Sequence, residues 1–426
     1  MLPDNPQLPH SLPGTDQRFT FAVDRLTDAV IGRASDLFIE DKQSRAKEIH
    51  AKVAGRRILV VGGAGSIGSA TVKELAAFAP AALHVIDHDE NGLAELVRDM
   101  RSSDAEFAVD DFRLLPLDFG SPVMRGFLEE AGPYDLVLNF AAVKHVRSEK
   151  DAFSLLQLLD TNVVKAARFL RWLSQFSRPC RYFSVSTDKA ADPASLMGAS
   201  KRIMEHLLFS GEVVSAPDLV LTSARFPNVA FSQGSLLHSF LKRLEKSQPL
   251  AAPRETRRYL ISGREAGQLC LLAAVCGPAN HLVIPRLDPD RHVATLDSVA
   301  RKVLELYGFR PRLYESESAA KTGLQSDVAQ GFYPLLLTPL DTSGEKPIEE
   351  FLSSGEEVVE IGMAGLVAVK YRPSAPETLS EFLKWIEDAV EGEIPAPTKK
   401  GIIRSMKAIV PELRHTQRGR SLDERM

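Results

Sequence analysis

The sequence predicts an α/β protein whose core is a doubly wound parallel sheet, with a smaller C-terminal lobe and an N-terminal helical extension. Short apolar runs alternate with helical segments between residues 57 and 225, and such alternation is typical of parallel sheets with helices on both faces. The first run leads into a glycine-rich turn, Val60–Ser69 (VVGGAGSIGS), and the second ends at Asp87. This order of strand, glycine turn, helix and acidic residue indicates a Rossmann-type sheet.

Each predicted strand is a short apolar run bounded by turn residues. In chain order the runs are Arg57–Val61, Leu83–Ile86, Phe112–Pro116, Leu136–Phe140, Arg181–Val185 and Leu219–Arg225. A helix is predicted over Ala70–Phe78, after the glycine turn. Beyond Phe226 the pattern is less regular, although His281–Ile284 is expected to return to the sheet as a late strand. A further strand is expected within Val358–Val369 and a helix over Leu379–Val390.

These patterns divide the chain into four parts. They are a tail and helical extension (1–54), a Rossmann domain that binds NAD(P) (55–230), a substrate-binding lobe with a late strand near 281–285 (231–375), and a C-terminal helix and tail (376–426). Apolar residues within 21–54 recur at helical spacing and predict an amphipathic pair of helices that packs on the body or on a partner subunit. A membrane-surface helix is less favoured, because acidic residues are interspersed with the basic ones.

Composition is that of an ordinary globular protein. The chain has 426 residues and a formal net charge of -4, which gives no general attraction to nucleic acid or to an anionic membrane. No apolar run approaches the roughly 20 residues of a membrane span, and the start has no signal-peptide layout. The three cysteines, Cys180, Cys270 and Cys276, have no metal-ligand spacing and fit a reducing compartment. We therefore expect a cytoplasmic protein without a metal site.

The glycine turn has the composition of a dinucleotide-binding loop. Gly62, Gly65 and Gly68 recur at every third position, with Ser66 and Ile67 between the last two. Glycines allow a tight turn and let the backbone approach a pyrophosphate, which then lies at the N-terminus of the following helix. These five residues are the predicted pyrophosphate-binding part of a cofactor site.

The residues after the second strand indicate which dinucleotide is bound. Asp87 can accept hydrogen bonds from the ribose hydroxyls of adenosine. The residues that follow at 88–90 are HDE, with no arginine or lysine, so a 2′-phosphate would meet negative charge there. NAD is therefore favoured over NADP, although Arg98 or Arg101 could swing in.

Two other segments are expected to complete the cofactor site. Asp118, after the third strand, either holds the adenine amino group or caps an ordinary turn. Ala141 and Ala142 follow the fourth strand, where small side chains would leave room for the dinucleotide.

Several motifs give the chain a family resemblance. In chain order they are VVGGAGSIGS at 60–69, AAVKHV at 141–146, TN at 161–162, STDKAADP at 186–193, MGASKRIME at 197–205 and RFPNV at 225–229, with weaker matches RRYLI at 257–261 and SGEKPIEEFL at 343–352. On these residues the chain resembles the extended short-chain dehydrogenase/reductases. Within them it is most similar to the UDP-N-acetylglucosamine-type nucleotide-sugar 4,6-dehydratases of bacterial polysaccharide biosynthesis. The STDKA and GASK segments beside AAxKHV are specific to this group, whereas the glycine loop alone is not.

The resemblance implies a three-step cycle with a tightly bound, recycled NAD. Hydride leaves carbon 4 of the sugar, water is eliminated across carbons 5 and 6, and hydride returns to carbon 6. The resemblance assigns Lys189 as the base at carbon 5 and Asp188 as the acid for the leaving hydroxyl, while Thr187 could hydrogen-bond the carbon-4 oxygen. These roles would suit a lowered pKa for Lys189 and a raised pKa for Asp188. A surface ion pair is the alternative, and it is disfavoured because the pair follows the fifth strand.

Met197 departs from the family pattern. Related dehydrogenases carry Tyr-x-x-x-Lys, whereas this chain has methionine at the first position and Lys201 at the last. Lys201 can still hold the nicotinamide ribose, but a thioether cannot act as a general base. A branch of the dehydratases resembles this sequence in carrying methionine there. The hydroxyl proton would then go to Thr187, to water or to the Asp188–Lys189 pair.

The resemblance also implies how the substrate is held. The implied substrate-binding residues are Lys144, His145, Asn228, Arg258 and Glu345. Arg258 would meet the sugar diphosphate, with Arg257 and Arg254 close enough to substitute for it. Thr342 stands where the family has another phosphate-binding arginine, and Arg147 adds a cation that could replace part of the lost charge.

Two other functions remain open. One is a carbon-4 epimerase or ketoreductase of the same fold, which the Asp188–Lys189 pair disfavours because neither reaction requires elimination. The other is a catalytically weakened NAD-binding regulatory protein, which Met197, Pro227 and Thr342 favour. We also expect a homodimer or higher homo-oligomer, because the resemblance implies pairing through the apolar helices over 162–176 and 197–210.

Overall fold

The computed structural model describes residues 23–102, 109–145, 149–176, 178–211, 218–339, 344, 346–371 and 376–416. Within these ranges the strands are β1 (Arg57–Val61), β2 (Ala82–Asp87), β3 (Asp111–Pro116), β4 (Leu136–Asn139), β5 (Cys180–Val185), β6 (Leu219–Ala224), β7 (Asn228–Val229), β8 (Leu250–Pro253), β9 (Arg257–Ile261), β10 (His281–Pro285), β11 (Val293–Thr295), β12 (Arg310–Tyr314), β13 (Phe332–Thr338), β14 (Val358–Val359) and β15 (Leu366–Lys370).

The helices in the same ranges are α1 (Val23–Ile31), α2 (Ile39–Ser44), α3 (Ala46–Val53), α4 (Ser66–Ala76), α5 (Glu90–Ser102), α6 (Pro122–Ala131), α7 (Ala152–Leu159), α8 (Lys165–Leu173), α9 (Leu196–Phe209), α10 (Leu236–Glu245), α11 (Gly263–Val275), α12 (Pro289–His292), α13 (Leu296–Leu306), α14 (Glu317–Ala329), α15 (Pro376–Glu391) and α16 (Lys399–Ile409). A π-helical segment, Asp160–Val164, joins α7 to α8, and a 3-10 turn, Asp188–Ala190, precedes α9.

The central sheet has nine strands in the order β14-β15-β10-β6-β5-β4-β1-β2-β3. Strands β1 to β6 and β10 are parallel, while β15 pairs antiparallel with both β10 and β14. The strand order reverses between β1 and β4, which is the switch point of a Rossmann sheet. The predicted fold class is therefore confirmed.

The strands of this sheet are continuously apolar because helices cover both of its faces. Every residue of β2 is buried, as are the last four residues of β1. On one face α11 lies so close to α4 that a Cβ on Gly267 would be 2.8 Å from the carbonyl oxygen of Ala70. Helix α4 begins at Ser66, earlier than predicted, because the glycine turn already ends at Gly65.

The smaller lobe contains two three-stranded sheets, β11-β9-β7 and β12-β13-β8. Its apolar core joins α10, α13, β8 and β13, with Phe240, Val303 and Leu335 fully buried. Helix α1 belongs to this lobe, since Leu26 is buried in the same core. The chain passes directly from the carboxyl end of β6 into β7, so the lobe begins where the main sheet presents its ligand-binding edge.

The N-terminal extension contains three helices rather than the predicted pair. Arg45 interrupts the helical run between α2 and α3, with φ -96° and ψ 5°. The Asp41 carboxylate accepts the backbone N–H groups of Ala364 and Gly365 at 2.6 and 2.7 Å. These bonds fix the extension to the body of the same chain.

Helices α15 and α16 pack against α7, the π-helical segment and α9. Their shared cluster buries Leu159, Ile203, Ile386 and Ile402, each 0% exposed. Apolar residues on which the predicted subunit contact rested are buried in this cluster, so the homo-oligomer stays a prediction and these faces do not locate its interface. None of the helices in the described part of the chain is both long and apolar enough to cross a membrane.

Candidate active site

The loops after β1, β4, β5 and β6 meet at the carboxyl edge of the sheet, around its switch point. Backbone hydrogen bonds join them: Phe140 donates to Val61 at 2.7 Å, Ser186 to Ala224 at 2.8 Å and Asp188 to Phe226 at 3.1 Å. Sheets of this type bind ligands at this point. The predicted cofactor loop (60–69) and the predicted catalytic turn (187–190) therefore lie in one cleft.

Close backbone approaches shape the glycine loop. Gly62 has φ +74°, and a Cβ there would lie 2.5 Å from the nitrogen of Ala141. A Cβ on Gly68 would lie 2.2 Å from the carbonyl oxygen of Gly62. At Gly65, by contrast, the nearest atom to an added Cβ is 3.5 Å away. The fold requires Gly62 and Gly68, whereas Gly65 leaves room beside the loop for a ligand.

Ser66 and Ile67 anchor the beginning of α4. The Ile67 side chain packs against the main apolar core. Ser66 Oγ accepts the backbone N–H of Gln233 at 2.9 Å. The glycine loop is thereby tied to the segment that follows β7.

The two acidic residues predicted to bind adenosine have different settings. Asp87 is 8% exposed; its Oδ2 accepts the N–H of Ala64 at 2.9 Å, and its Oδ1 accepts the N–H of Asp89 at 3.0 Å. A carboxylate offers about four acceptor positions, so Asp87 retains capacity for ribose hydroxyls. Asp118 accepts the N–H of Gly120 at 2.9 Å and the Lys165 ammonium at 2.5 Å. This is the turn-capping arrangement that the sequence left as the alternative.

The loop after β4 is fixed to α9 through the π-helical segment. Ala141 and Ala142 are half-buried beside the glycine loop. The side chain of Asn162 accepts the N–H of Val143 at 2.9 Å and donates to its carbonyl oxygen at 3.0 Å. The same amide donates to Ser200 Oγ at 2.9 Å. The motif TN at 161–162 gave no indication of this positioning role.

Asp188 and Lys189 form a close ion pair directly after β5. Lys189 Nζ donates to Asp188 Oδ1 at 3.0 Å, and the Thr187 hydroxyl donates to the same oxygen at 2.9 Å. Asp188 is 1% exposed, and its Oδ2 has no hydrogen-bond partner among the described residues. A pair with one buried carboxylate and an unsatisfied oxygen differs from the exposed surface pair that was the alternative.

Glu349 adds a second carboxylate that the sequence analysis did not single out. It is 3% exposed, and its Oε1 lies 3.9 Å from Lys189 Nζ and 3.8 Å from Arg258 Nη2. It lies within the quoted motif SGEKPIEEFL, but no spacing rule brings that motif to the end of β5. The site therefore contains two carboxylates and two cations.

This second carboxylate changes the protonation of Lys189. Burial alone would lower the pKa of the ammonium group, but the negative charges of Asp188 and Glu349 outweigh burial and the charge of Arg258, so the pKa is raised. The direction of this shift is opposite to the lowering that a role as base would suit. Lys189 is thus protonated near neutral pH and must release its proton before it can act as a base.

Met197 serves packing rather than proton transfer. Its side chain is 4% exposed and lies in the apolar cluster with α15 and α16, while its N–H donates to Glu149 at 2.8 Å. Burial raises the pKa of Glu149 to about 7, although backbone N–H groups including that of Met197 lower it.

Lys201, the last residue of the same motif, is buried as well. Burial lowers the pKa of its ammonium group to about 8, and its Nζ lies 3.3 Å from Met204 Sδ.

Three of the predicted substrate-binding residues, Lys144, His145 and Asn228, have different settings. Lys144 is exposed and donates to the Gln233 carbonyl at 2.8 Å, and the His145 ring approaches Gly234. Asn228 differs, because its Nδ2 is buried without a hydrogen-bond partner among the described residues. Such a group costs about 1–3 kcal/mol and marks a place where a ligand oxygen can bind. Glu345, Arg147 and Thr342 lie outside the described residues.

Arg258 faces the catalytic turn, whereas the arginines beside open space are its neighbours in the sequence. The Nη1 of Arg258 donates to the carbonyl oxygens of Arg257 and Lys346 at 2.8 and 2.9 Å. Arg254 and Arg257 instead line a cavity of about 620 Å³, together with Glu255, Thr295, Pro339 and Pro347. The two arginines that were suggested as substitutes for Arg258 are therefore the ones beside open space.

A buried charge cluster behind the catalytic turn was not predicted. Glu205 and Arg225, each 0% exposed, form hydrogen bonds at 2.9 and 2.8 Å, and Arg225 also donates to Glu356 at 2.6 Å. The Ser186 hydroxyl donates to Glu205 at 2.5 Å. The cluster joins β5, β6 and α9, and so fixes the backbone from which Thr187 and the ion pair project.

One protein family and several known proteins resemble this chain. The family model described as "Polysaccharide biosynthesis protein" matches residues 58–370. A Methanocaldococcus jannaschii protein named "Uncharacterized membrane protein MJ1061" is 28% identical over 269 residues, which cover 62% of this chain and 77% of that protein. The "Probable polysaccharide biosynthesis protein EpsC" of Bacillus subtilis is 27% identical over 289 residues, which cover 65% of this chain and 46% of EpsC. The match thus spans less than half the length of EpsC.

A solved structure shares the fold. The UDP-glucuronic acid 4-epimerase of Bacillus cereus, in complex with UDP-glucuronic acid and NAD, has a TM-score of 0.52 at 15% identity. The likeness covers 79% of this chain and 100% of the epimerase.

Glu205→Gln is expected to destabilise the protein by about 3–5 kcal/mol, because the two buried arginines Arg202 and Arg225 would be left to share the single carboxylate of Glu356. Urea unfolding followed by circular dichroism measures this cost. Glu412→Gln is the matched control, since Glu412 accepts from Arg202 at 3.1 Å but its side chain is 28% exposed, and its loss should cost under about 1 kcal/mol. Equal costs for the two variants would contradict the role given to the buried cluster.

Proposed function

Because the chain belongs to the polysaccharide biosynthesis protein family, we propose that it is an NAD-dependent nucleotide-sugar 4,6-dehydratase. The observation that carries the proposal is the pairing of the buried Asp188 with the partly buried Lys189 at the end of β5. Oxidation at carbon 4 alone needs no such pair, whereas elimination across carbons 5 and 6 needs both a base and an acid. The Thr187 hydroxyl, which donates a hydrogen bond to Asp188, is a third group that can carry a proton.

The residues at the switch point fit NAD. Gly65 leaves space beside the loop at the N-terminus of α4, where a pyrophosphate binds. Asp87 keeps acceptor capacity for ribose hydroxyls, and the acidic residues after it disfavour a 2′-phosphate. Bound there, NAD would supply the hydride acceptor and donor of the reaction. The Bacillus cereus epimerase of the same fold is described in complex with NAD.

The side chains of the catalytic turn would move the protons. With Lys189 neutral and Asp188 ionised, the carbon-4 hydroxyl proton passes through Thr187 to Asp188. Lys189 then takes the carbon-5 proton while Asp188 protonates the leaving hydroxyl at carbon 6, and water departs. This leaves ammonium beside carboxylate, which is the ion pair seen in the structure. When the proton on Lys189 returns to carbon 5, the starting protonation is restored.

This route explains how a site with methionine at position 197 can oxidise the sugar. The proton that a tyrosine would accept is carried by the 2.9 Å hydrogen bond between Thr187 and Asp188. The same proton then leaves with the carbon-6 hydroxyl as water. The apolar side chain of Met197 contributes only to the cluster with α15 and α16.

The substrate would be a UDP-N-acetylglucosamine-like nucleotide sugar. Arg254 and Arg257 beside the cavity suit a diphosphate. The unpartnered Nδ2 of Asn228 suits a sugar or phosphate oxygen. Lys144 lies at the mouth of the cleft, where it can reach the substrate by exchanging its bond to Gln233.

A carbon-4 epimerase is the second candidate, favoured by the fold shared with the Bacillus cereus enzyme. An epimerase conserves the mass of its substrate and has no use for an acid at carbon 6. The buried Asp188 therefore distinguishes the two proposals.

Incubation with UDP-N-acetylglucosamine is expected to give a product lighter by one water, without added cofactor or reductant. Mass spectrometry of the nucleotide sugars measures it. Asp188→Asn should lower the rate by about 100-fold or more, because the proton carrier is lost, while Asp192→Asn in the same loop should change it little. A product of unchanged mass would favour the epimerase, and wild-type activity of Asp188→Asn would contradict the elimination mechanism.

Gly65→Ala is expected to weaken NADH binding at least about tenfold, because a Cβ fits the folded chain but occupies the space given to the pyrophosphate. Fluorescence titration of NADH measures the affinity, and urea unfolding should be unchanged. Gly126→Ala is the control, since an added Cβ there meets nothing within 4 Å. Wild-type affinity in Gly65→Ala would place the cofactor elsewhere.

A further inference from the structure

We propose that Glu349 is a positioning residue of the Asp188–Lys189 pair, which holds the Lys189 ammonium in the site and sets the pH at which this amine releases its proton. The proposal rests on the proposed function for its catalytic meaning. Its structural content, an electrostatic hold on Lys189, is independent of the substrate.

The segment that carries Glu349 is fastened to both sides of the site. Lys346 Nζ donates to the carbonyl oxygen of Ala191 at 3.0 Å, just after the catalytic turn. Ser353 Oγ accepts the N–H of Asp192 at 3.2 Å. The backbone of β9 donates to the Pro347 carbonyl at 2.8 Å. These bonds hold the segment against the turn from each end, so the position of Glu349 is determined by the fold.

The Glu349 carboxylate is placed to act on Lys189 rather than on solvent. It is 3% exposed, and one oxygen lies 3.9 Å from Lys189 Nζ. The other oxygen, Oε2, is buried and has no hydrogen-bond partner among the described residues. A buried carboxylate with an unused oxygen is costly for stability alone, and this favours a role in the chemistry of the site.

Three charged groups surround the Lys189–Glu349 contact. Asp188 lies on the catalytic turn itself, Arg258 comes from β9, and Lys346 comes from the same segment as Glu349. The two carboxylates favour the ammonium form of Lys189, while Arg258 opposes it. Burial and the charge of Asp188 raise the pKa of Glu349 itself, whereas the positive charge of Lys189 lowers it, so the two groups hold each other in their charged forms. Removing the Glu349 charge while keeping its volume should therefore let Lys189 lose its proton at lower pH.

Glu349→Gln tests this inference without any substrate. Competitive labelling of amines with acetic anhydride across a pH series, followed by peptide mass spectrometry, gives the midpoint at which Lys189 becomes reactive. We expect this midpoint to fall by about one pH unit or more, the effect of an opposite charge within about 4–6 Å. Glu350→Gln, at the exposed neighbouring position, should leave the midpoint unchanged. Glu349→Asp, which keeps the charge, should restore most of the wild-type value.

Turnover then links the inference to catalysis. The limb of the pH–rate profile on which activity rises with pH should move to lower pH in Glu349→Gln, in step with the labelling midpoint. An unchanged midpoint, or one that shifts equally in Glu350→Gln, would overturn the inference. A shifted midpoint in a protein that dehydrates no nucleotide sugar would leave the role of Glu349 intact and contradict the proposed function.

Discussion

The burial of Asp188 beside the partly exposed Lys189 at the carboxyl end of β5 is the constraint on which the rest of the site depends. Removing an ion from water costs several kcal/mol, and only close pairing and hydrogen bonds offset this cost. Asp188 and Lys189 meet at 3.0 Å, with Glu349 and Arg258 just beyond them. A site made this way holds protons that can be moved between its members, which is what an elimination requires.

A second buried cluster gives this pair its fixed place. The cluster behind the turn consists of Glu205 on α9, Arg225 after β6, and Glu356. The hydroxyl of Ser186, which directly follows β5, donates to Glu205 and so ties the start of the turn to this cluster. The outer elements then close the site: α15 and α16 cover Met197 and its apolar neighbours, while the segment around Glu349 is fastened across the catalytic turn. Residues far apart in the chain thus determine the geometry of two adjacent ones.

Sequence patterns predicted what is local and missed what is distant. The strands and the glycine loop are encoded within short segments, so apolar runs and spacing were enough to find them. The adjacent Asp188–Lys189 pair is also local, and the family resemblance gave it its role. Glu349 reaches Lys189 only through tertiary folding, so the sequence alone did not indicate that the pKa of Lys189 is raised. Arg258 was expected beside an open phosphate site, but contacts from the segment around Lys346 turn it toward the catalytic turn. The covering of α7 and α9 by α15 and α16 likewise follows from packing that no local pattern records.

The most direct test of the elimination by Asp188 and Lys189 is the reaction with UDP-N-acetylglucosamine in deuterated water, followed by mass spectrometry and proton NMR of the product. The mechanism predicts a product that has lost one water and carries a solvent deuterium at carbon 5, because the proton returned there comes from an exchangeable amine. Loss of water without deuterium at carbon 5 would contradict the role of Lys189. A product of unchanged mass would contradict elimination altogether.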